Sequence, residues 1–231
     1  MDDPRAVGSR QMSDTFLLSL FLSFSGGFQD AYTYIVRDSV FANAQTGNVV
    51  LMSAFFMKGQ WAAGARYLFP LLSFVLGVFT ADTICSRFRA AEKLHWRQGI
   101  LLLEILAIAL VGFLPLRFNL LANCLVSFSC AMQVHSFRTV HGNAYASTMC
   151  IGNLRSGTEA LASYFRSGDR GELHRAGYYF GVILIFALGA GCGGVLSGYF
   201  AERTIWICCV LLAVAFLIMR SPTGSGTGKA K

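Results

Sequence analysis

The sequence predicts an all-α membrane protein with six transmembrane helices and two re-entrant or broken helices. Three observations carry that expectation. Of the 231 residues, 55% are hydrophobic and 13% are charged, too little polar surface to coat a water-soluble globule of this size. Apolar runs close to the ~20 residues needed to cross ~30 Å of hydrocarbon recur along the chain. Lysines and arginines gather between those runs, as positive-inside loops do. The formal net charge of +7 therefore does not point to a nucleic-acid partner, which would need a basic face on one element. The expected partners are the lipid bilayer and a small-molecule or ion substrate.

Taken in order, residues 1–14 are polar and read as a disordered leader. Phe16 to Val36 is the first span. It is longer than a signal-peptide core, carries Asp30 and lacks a small-residue cleavage site, so it reads as a mature helix. Further spans are expected at Ala65 to Ile84, Gln98 to Pro115, Asn119 to Phe137, Tyr178 to Phe200 and Thr204 to Met219. Residues 15–220 thus form one polytopic membrane domain, followed by a Gly/Ser/Lys-rich tail, 221–231, that reads as disordered.

Two segments do not fit a simple span. Phe41 to Met57 opens polar and turns apolar only at Val49, leaving too short a run before Lys58. Tyr145 to Phe165 contains Arg155 and Glu159, which a lipid-facing helix does not tolerate. Both read as half-helices lining a protein-enclosed space, where irregular backbone is permitted at bilayer depth. If both re-enter, thirteen Lys/Arg fall inside and only Arg37, Lys58, Arg66, Arg117 and Arg203 fall outside, with Arg155 uncounted within its segment. That distribution puts both termini in the cytoplasm. Full but polar-lined spans are the alternative.

An internal offset fits the same plan. Gln133 follows Gln29 by 104 residues, and Gly152-Asn153 follows Gly47-Asn48 by 105. Halves 15–116 and 117–220 would each hold three crossings, so the second would lie upside down, as in inverted-repeat transporters. Chance similarity between apolar runs is the competing explanation.

The candidate site residues come from the polar positions of these two halves. Asp30, beside Gln29, sits at bilayer depth, where a carboxylate is costly unless it binds a cation or proton or pairs with Arg37 or Arg155. Asn43, Gln45, Thr46 and Asn48 supply amide and hydroxyl groups, and Gly47 lets the backbone turn. A helix starting there would aim free N–H groups and its positive dipole end at a solute, or Thr46 or Asn48 would merely cap it. From the second half come Gln133, Gly152, Asn153, Arg155 and Glu159. Arg155 and Glu159 stand at i, i+4 and can pair with each other, or Arg155 can hold an anionic group. Glu104 lies inside its span and could relay protons or reach outward to an arginine; Asp82 lies near Arg87 and reads as structural.

Seven cysteines fall almost all within apolar runs, without C-x-x-C or metal-type pairing with histidine. No nucleophile elbow, zincin or phosphate-loop motif occurs. The sequence therefore points to neither an enzyme, a metal nor a cofactor. Gly189, Gly191, Gly193 and Gly194 suit close helix contacts, within one chain or in a homo-oligomer.

Gly26-Gly27 with Asp30-Ala31, Phe41-Ala42-Asn43 with Gln45-Thr46-Gly47-Asn48, and Gly152-Asn153-Leu154 resemble the YoaK-like family of bacterial inner-membrane proteins of unknown function. The resemblance runs from about Phe16 to Met219 and implies about six spans and small-molecule transport. Val134-His135 after Gln133, and Ile151 before Gly152, depart from the family pattern. The expected function is a small-solute transporter or channel with a midplane polar site, coupled to protons if Asp30 titrates. A membrane scaffold or sensor, whose polar residues serve only helix packing, is the alternative.

Overall fold

The structure is a computed structural model that describes residues 16–88, 96–140, 143–144, 147–148 and 150–220. The expected disordered leader and tail fall outside those residues. The described chain is essentially all helical: α1 (Phe16–Val36), α2 (Gln45–Met57), α3 (Trp61–Phe88), α4 (Trp96–Val111), α5 (Asn119–Ser136), α6 (Cys150–Ser167), α7 (Arg170–Phe200) and α8 (Trp206–Arg220). A two-residue ladder, Thr139–Val140 with Asn143–Ala144, lies in the α5–α6 connection.

Each expected span coincides with a helix, and the differences are at the ends. α3 begins four residues before its apolar run because Gly59, at φ 72°, ends α2 in a left-handed turn and lets the chain reverse at once. α7 begins eight residues early. Its first turns, Arg170–Arg175, are charged, and Asp169 caps them by accepting the Gly171 N–H at 2.8 Å. Among the described helices, α3 and the near-continuous stretch Arg170–Met219 are long and apolar enough to cross a membrane. Large apolar side chains such as Val75, Phe79, Leu184, Val195 and Val210 face outward.

Named contacts fix the direction of each helix. Phe16 meets Tyr178 with ring centroids 5.1 Å apart, and Gly193 lies against the Phe28 carbonyl, so α1 and α7 run parallel. Gly77 lies against the Phe128 carbonyl and Asp82 meets His135 at 3.4 Å, so α3 and α5 run parallel. Asp82, read from sequence as structural, meets His135. Trp206 donates to the Ala109 carbonyl and Cys209 approaches that of Ile105, so α8 runs antiparallel to α4. The starts of α1, α4 and α7 and the ends of α3, α5 and α8 therefore share one end of the molecule, the proximal end. The end of α1 and the starts of α3, α5 and α8 share the distal end.

The core lies between α1, α4, α5 and α8. Leu18, Leu22 and Phe28 of α1 pack with Leu101 and Ile108 of α4, Val126 of α5 and Leu212 of α8. α1 and α7 approach to backbone contact, because a Cβ on Gly27 would strike the Phe186 carbonyl and one on Gly189 that of Phe24.

The remaining two helices enter from opposite ends. α2 packs on α3 and ends at the distal end, while α6 packs on α7 and ends at the proximal end, behind Gly168 at φ 71°. Both open halfway along α1. Asn43, two residues before α2, bonds to Gly26 and Asp30, and Thr148, two residues before α6, sits against Gly26.

Candidate functional site

The site forms where these two helix openings meet the middle of α1. After α1 the chain turns back through Asp38 and Ser39, both in the left-handed region (φ 62° and 58°), which costs serine more than aspartate. The reversal brings residues 42–44 beside Asp30, whose carboxylate is only 7% exposed. The Asn43 backbone N–H donates to Asp30 Oδ1 at 2.7 Å, and the N–H groups of Ala42 and Ala44 flank the same carboxylate. Irregular backbone thus supplies what an ion partner would otherwise supply. The Asn43 amide donates to the Gly26 carbonyl at 3.1 Å, which a carbonyl can only accept, so Asn43 Oδ1 is left buried without a partner.

Gln29 and Gln133 face the same region from α1 and α5. Gln29 donates to Ser25 Oγ at 3.0 Å and its carbonyl accepts from the Cys130 thiol at 3.0 Å. Gln133 donates to Ser147 Oγ at 2.9 Å and to the Leu22 carbonyl at 3.3 Å, leaving its own carbonyl oxygen unpaired. The hydroxyls of Ser23, Ser127 and Ser129 are also buried and unpaired. A seam of polar groups from α1 and α5, two of them amide oxygens without donors and three of them unpaired hydroxyls, therefore adjoins Asp30.

The distal end of the seam is closed by Arg37, which is fully buried. It donates to Tyr32 Oη at 2.9 Å, Asn119 Oδ1 at 3.1 Å, and the Val111 and Leu114 carbonyls at 3.0 and 2.8 Å. The Val111 carbonyl, which also accepts from the Leu114 N–H at 3.1 Å, ends α4, and that of Leu114 lies in the turn after it, where the helix dipole favours a cation. Beyond Leu114 a hollow of about 280 Å³, lined by Phe113, Pro115, Glu202, Arg203 and Trp206, opens to the distal side.

The family model described as "Protein of unknown function (DUF1275)" matches residues 18–218, the whole helical region. The chain belongs to the DUF1275 family. The YoaK-like resemblance is consistent with that membership. No curated protein and no solved structure matches the chain.

Of the positions singled out by sequence, this DUF1275 protein brings Gln29, Asp30, Asn43 and Gln133 together. Asn48 is fully buried but holds the turn: its amide bridges the Phe41 N–H and carbonyl at 3.1 and 2.7 Å and donates to Gln45 Oε1 at 3.0 Å. Gln45 donates in turn to the Ala42 carbonyl at 2.8 Å. Gly47 is close-packed, since a Cβ there would lie 3.1 Å from the Phe41 ring, and Thr46 is exposed. These residues shape the segment that holds Asp30. In the second half, Asn153 is buried and Gly152 faces open space.

Arg155 and Glu159 bond to each other at 2.8 Å on an exposed face of α6, away from Asp30. Neither they nor Arg37 pair with Asp30. Sequence reading missed the tie Arg37 makes to α4 and α5, because three of its four acceptors lie 74 to 82 residues away. Glu104 was singled out, but it does not reach an arginine: it is fully buried and both carboxyl oxygens lack a hydrogen-bond partner.

Proposed function

We propose that this protein is a bacterial inner-membrane carrier or channel for a small polar solute, with six crossings, two half-helices and an inverted repeat around the Asp30 site. The observation that carries the reading is the grip of the irregular 42–44 backbone on a buried carboxylate at the depth where both half-helices begin. Transporters use irregular backbone at such a point to present helix ends and free backbone groups to a solute.

Packing supports the repeat. Exchanging the halves turns the α1–α7 contact into α5–α3, α2–α3 into α6–α7 and α1–α8 into α5–α4, and all of these contacts are present. The backbone approaches correspond too: Gly189 meets the carbonyl of Phe24 and Gly77 that of Phe128, and the two phenylalanines are 104 residues apart. Three crossings per half put α2 and α6 into the bilayer from opposite faces. The proximal end carries the start of α1 and the end of α8 and, by the count of basic residues, faces the cytoplasm.

The chemistry of the site points to a solute that brings donors. Asp30, Asn43 Oδ1 and Gln133 Oε1 are acceptors, and the serine hydroxyls can serve as either. An ammonium, a polyol or a protonated base fits this set better than an anion does. Thermal stability of the purified protein across a panel of amines, polyols and organic acids tests the reading. Amines or polyols that stabilise the wild type but not Asp30→Asn support it. Uniform indifference of both proteins supports the scaffold alternative.

A further inference from the structure

Glu104 is the buried titratable group that the site above does not use. It lies two turns into α4 from Trp96, with no exposed surface and no hydrogen-bond partner on either carboxyl oxygen. From α1 the Gln29 amide lies beside it, outside bonding geometry, with Asp30 the next residue. From α5 it faces the Cys130 thiol, and from α8 those of Cys208 and Cys209. On α3, Asp82 is occupied with His135, and on the 201–205 turn Glu202 and Arg203 lie at the distal end. No described cation bonds to the Glu104 carboxyl.

An ionised carboxylate here would be an uncompensated buried charge, whereas the neutral acid needs only one acceptor or a water. The route by which a proton could come and go is asymmetric. From Cys130, Gln133 and Ser136 continue toward the proximal end, where the Ser136 carbonyl accepts from Arg97 Nε at 2.9 Å. Gln133 Oε1 and Ser136 Oγ are buried and unpaired along that route, and such groups are the usual hosts of internal water. Toward the distal end the way is closed by the Arg37 cation and its four acceptors.

We propose that Glu104 is a proton-binding site that loads from the proximal end and is coupled through Gln29 to the Asp30 site. The division of labour follows from geometry: Asp30 is held by backbone N–H groups suited to a carboxylate, and Glu104 is left with none. The coupling half of this proposal rests on the transport reading; the proton site itself is measured without any solute.

The test is infrared difference spectroscopy of protein reconstituted in bilayers, with and without ¹³C-labelled glutamate, in H2O and D2O across a pH series. The chain has five glutamates, and of those described only Glu104 is fully buried. The expected result is a protonated-carboxyl band at neutral pH that moves with the glutamate label, shifts in D2O and fades as pH rises. It should vanish in Glu104→Gln and persist in Asp30→Asn with a displaced midpoint. The labelled wild type alone separates glutamate from aspartate if Glu104→Gln does not fold.

Absence of a label-sensitive band at neutral pH would overturn the proton site. So would a band that ignores both D2O and pH, which would mark a locked structural acid. A midpoint unmoved in Asp30→Asn would overturn the coupling. If no solute is ever found, the transport reading falls and the proton site stands or falls on its own spectrum.

Discussion

Replacing Arg37 by methionine keeps most of the apolar stem and removes four donated hydrogen bonds. The acceptors left behind are Tyr32 Oη, Asn119 Oδ1 and the Val111 and Leu114 carbonyls. Bonds to a charged donor net ~1.5–3 kcal/mol each, a gross loss of roughly 6–12 kcal/mol for four. Relief from burying an arginine without a carboxylate partner returns several kcal/mol. The net expectation is a destabilisation of about 3 kcal/mol. For a chain of this size ~1 kcal/mol corresponds to ~2–4 °C, so the melting midpoint should fall by roughly 6–12 °C. The assay is a double-mutant cycle with Asn119→Leu, read by thermal and denaturant unfolding in one detergent. Because Arg37 and Asn119 are in direct contact, a coupling of at least ~0.5 kcal/mol is expected. Additive effects, or an Arg37→Met midpoint equal to wild type, would refute the idea that this cation ties α1, α4 and α5 together at the distal end.

Four further outcomes follow from the same contacts. Gly27→Ala and Gly189→Ala drive a Cβ into carbonyl oxygens of the facing helix, so each should cost ~1–3 kcal/mol by overpacking, while Gly191→Ala, which lies inside α7 and meets nothing, should raise stability by ~0.4–1 kcal/mol. Asp30→Ala strands the Asn43 N–H and should cost ~1–3 kcal/mol; Asp30→Asn keeps an acceptor there and should cost less, measured side by side in the same unfolding assay. Asn48→Ala removes the brace across the Phe41 N–H and carbonyl, and should speed amide exchange and proteolysis in residues 38–48 without altering other helices. Arg155→Ala and Glu159→Ala break only an exposed pair, so neither should move the melting midpoint nor displace a solute that protects wild type.

The helices were legible in the sequence because hydropathy acts locally. The first span is α1 to the residue, and the two segments that failed as spans are α2 and α6, the two helices that begin inside the fold. Asp30 was legible for a similar reason: a carboxylate at that depth demands an explanation wherever the chain goes next. What holds it was not legible, since the 42–44 backbone carries no side-chain signature and depends on left-handed turns at Asp38 and Ser39. Arg37 and Glu104 show the same limit from two sides. The arginine meets carbonyls that only folding brings near, and the glutamate meets none. Arg155 and Glu159 read as polar residues in an apolar stretch, but α6 is amphipathic and packs against α7 on its other face, so they stay outside.

Asp30, gripped by the backbone before α2, serves in the proposed function as the solute-binding carboxylate. The most direct measurement is the melting midpoint of wild type and Asp30→Asn in the presence of candidate amines and polyols. A ligand at a hundred times its dissociation constant should stabilise the folded protein by ~2.7 kcal/mol. At least one donor-rich compound should raise the wild-type midpoint and leave Asp30→Asn where it was. Equal shifts in both proteins would contradict it, because the carboxylate would then be packing and not binding.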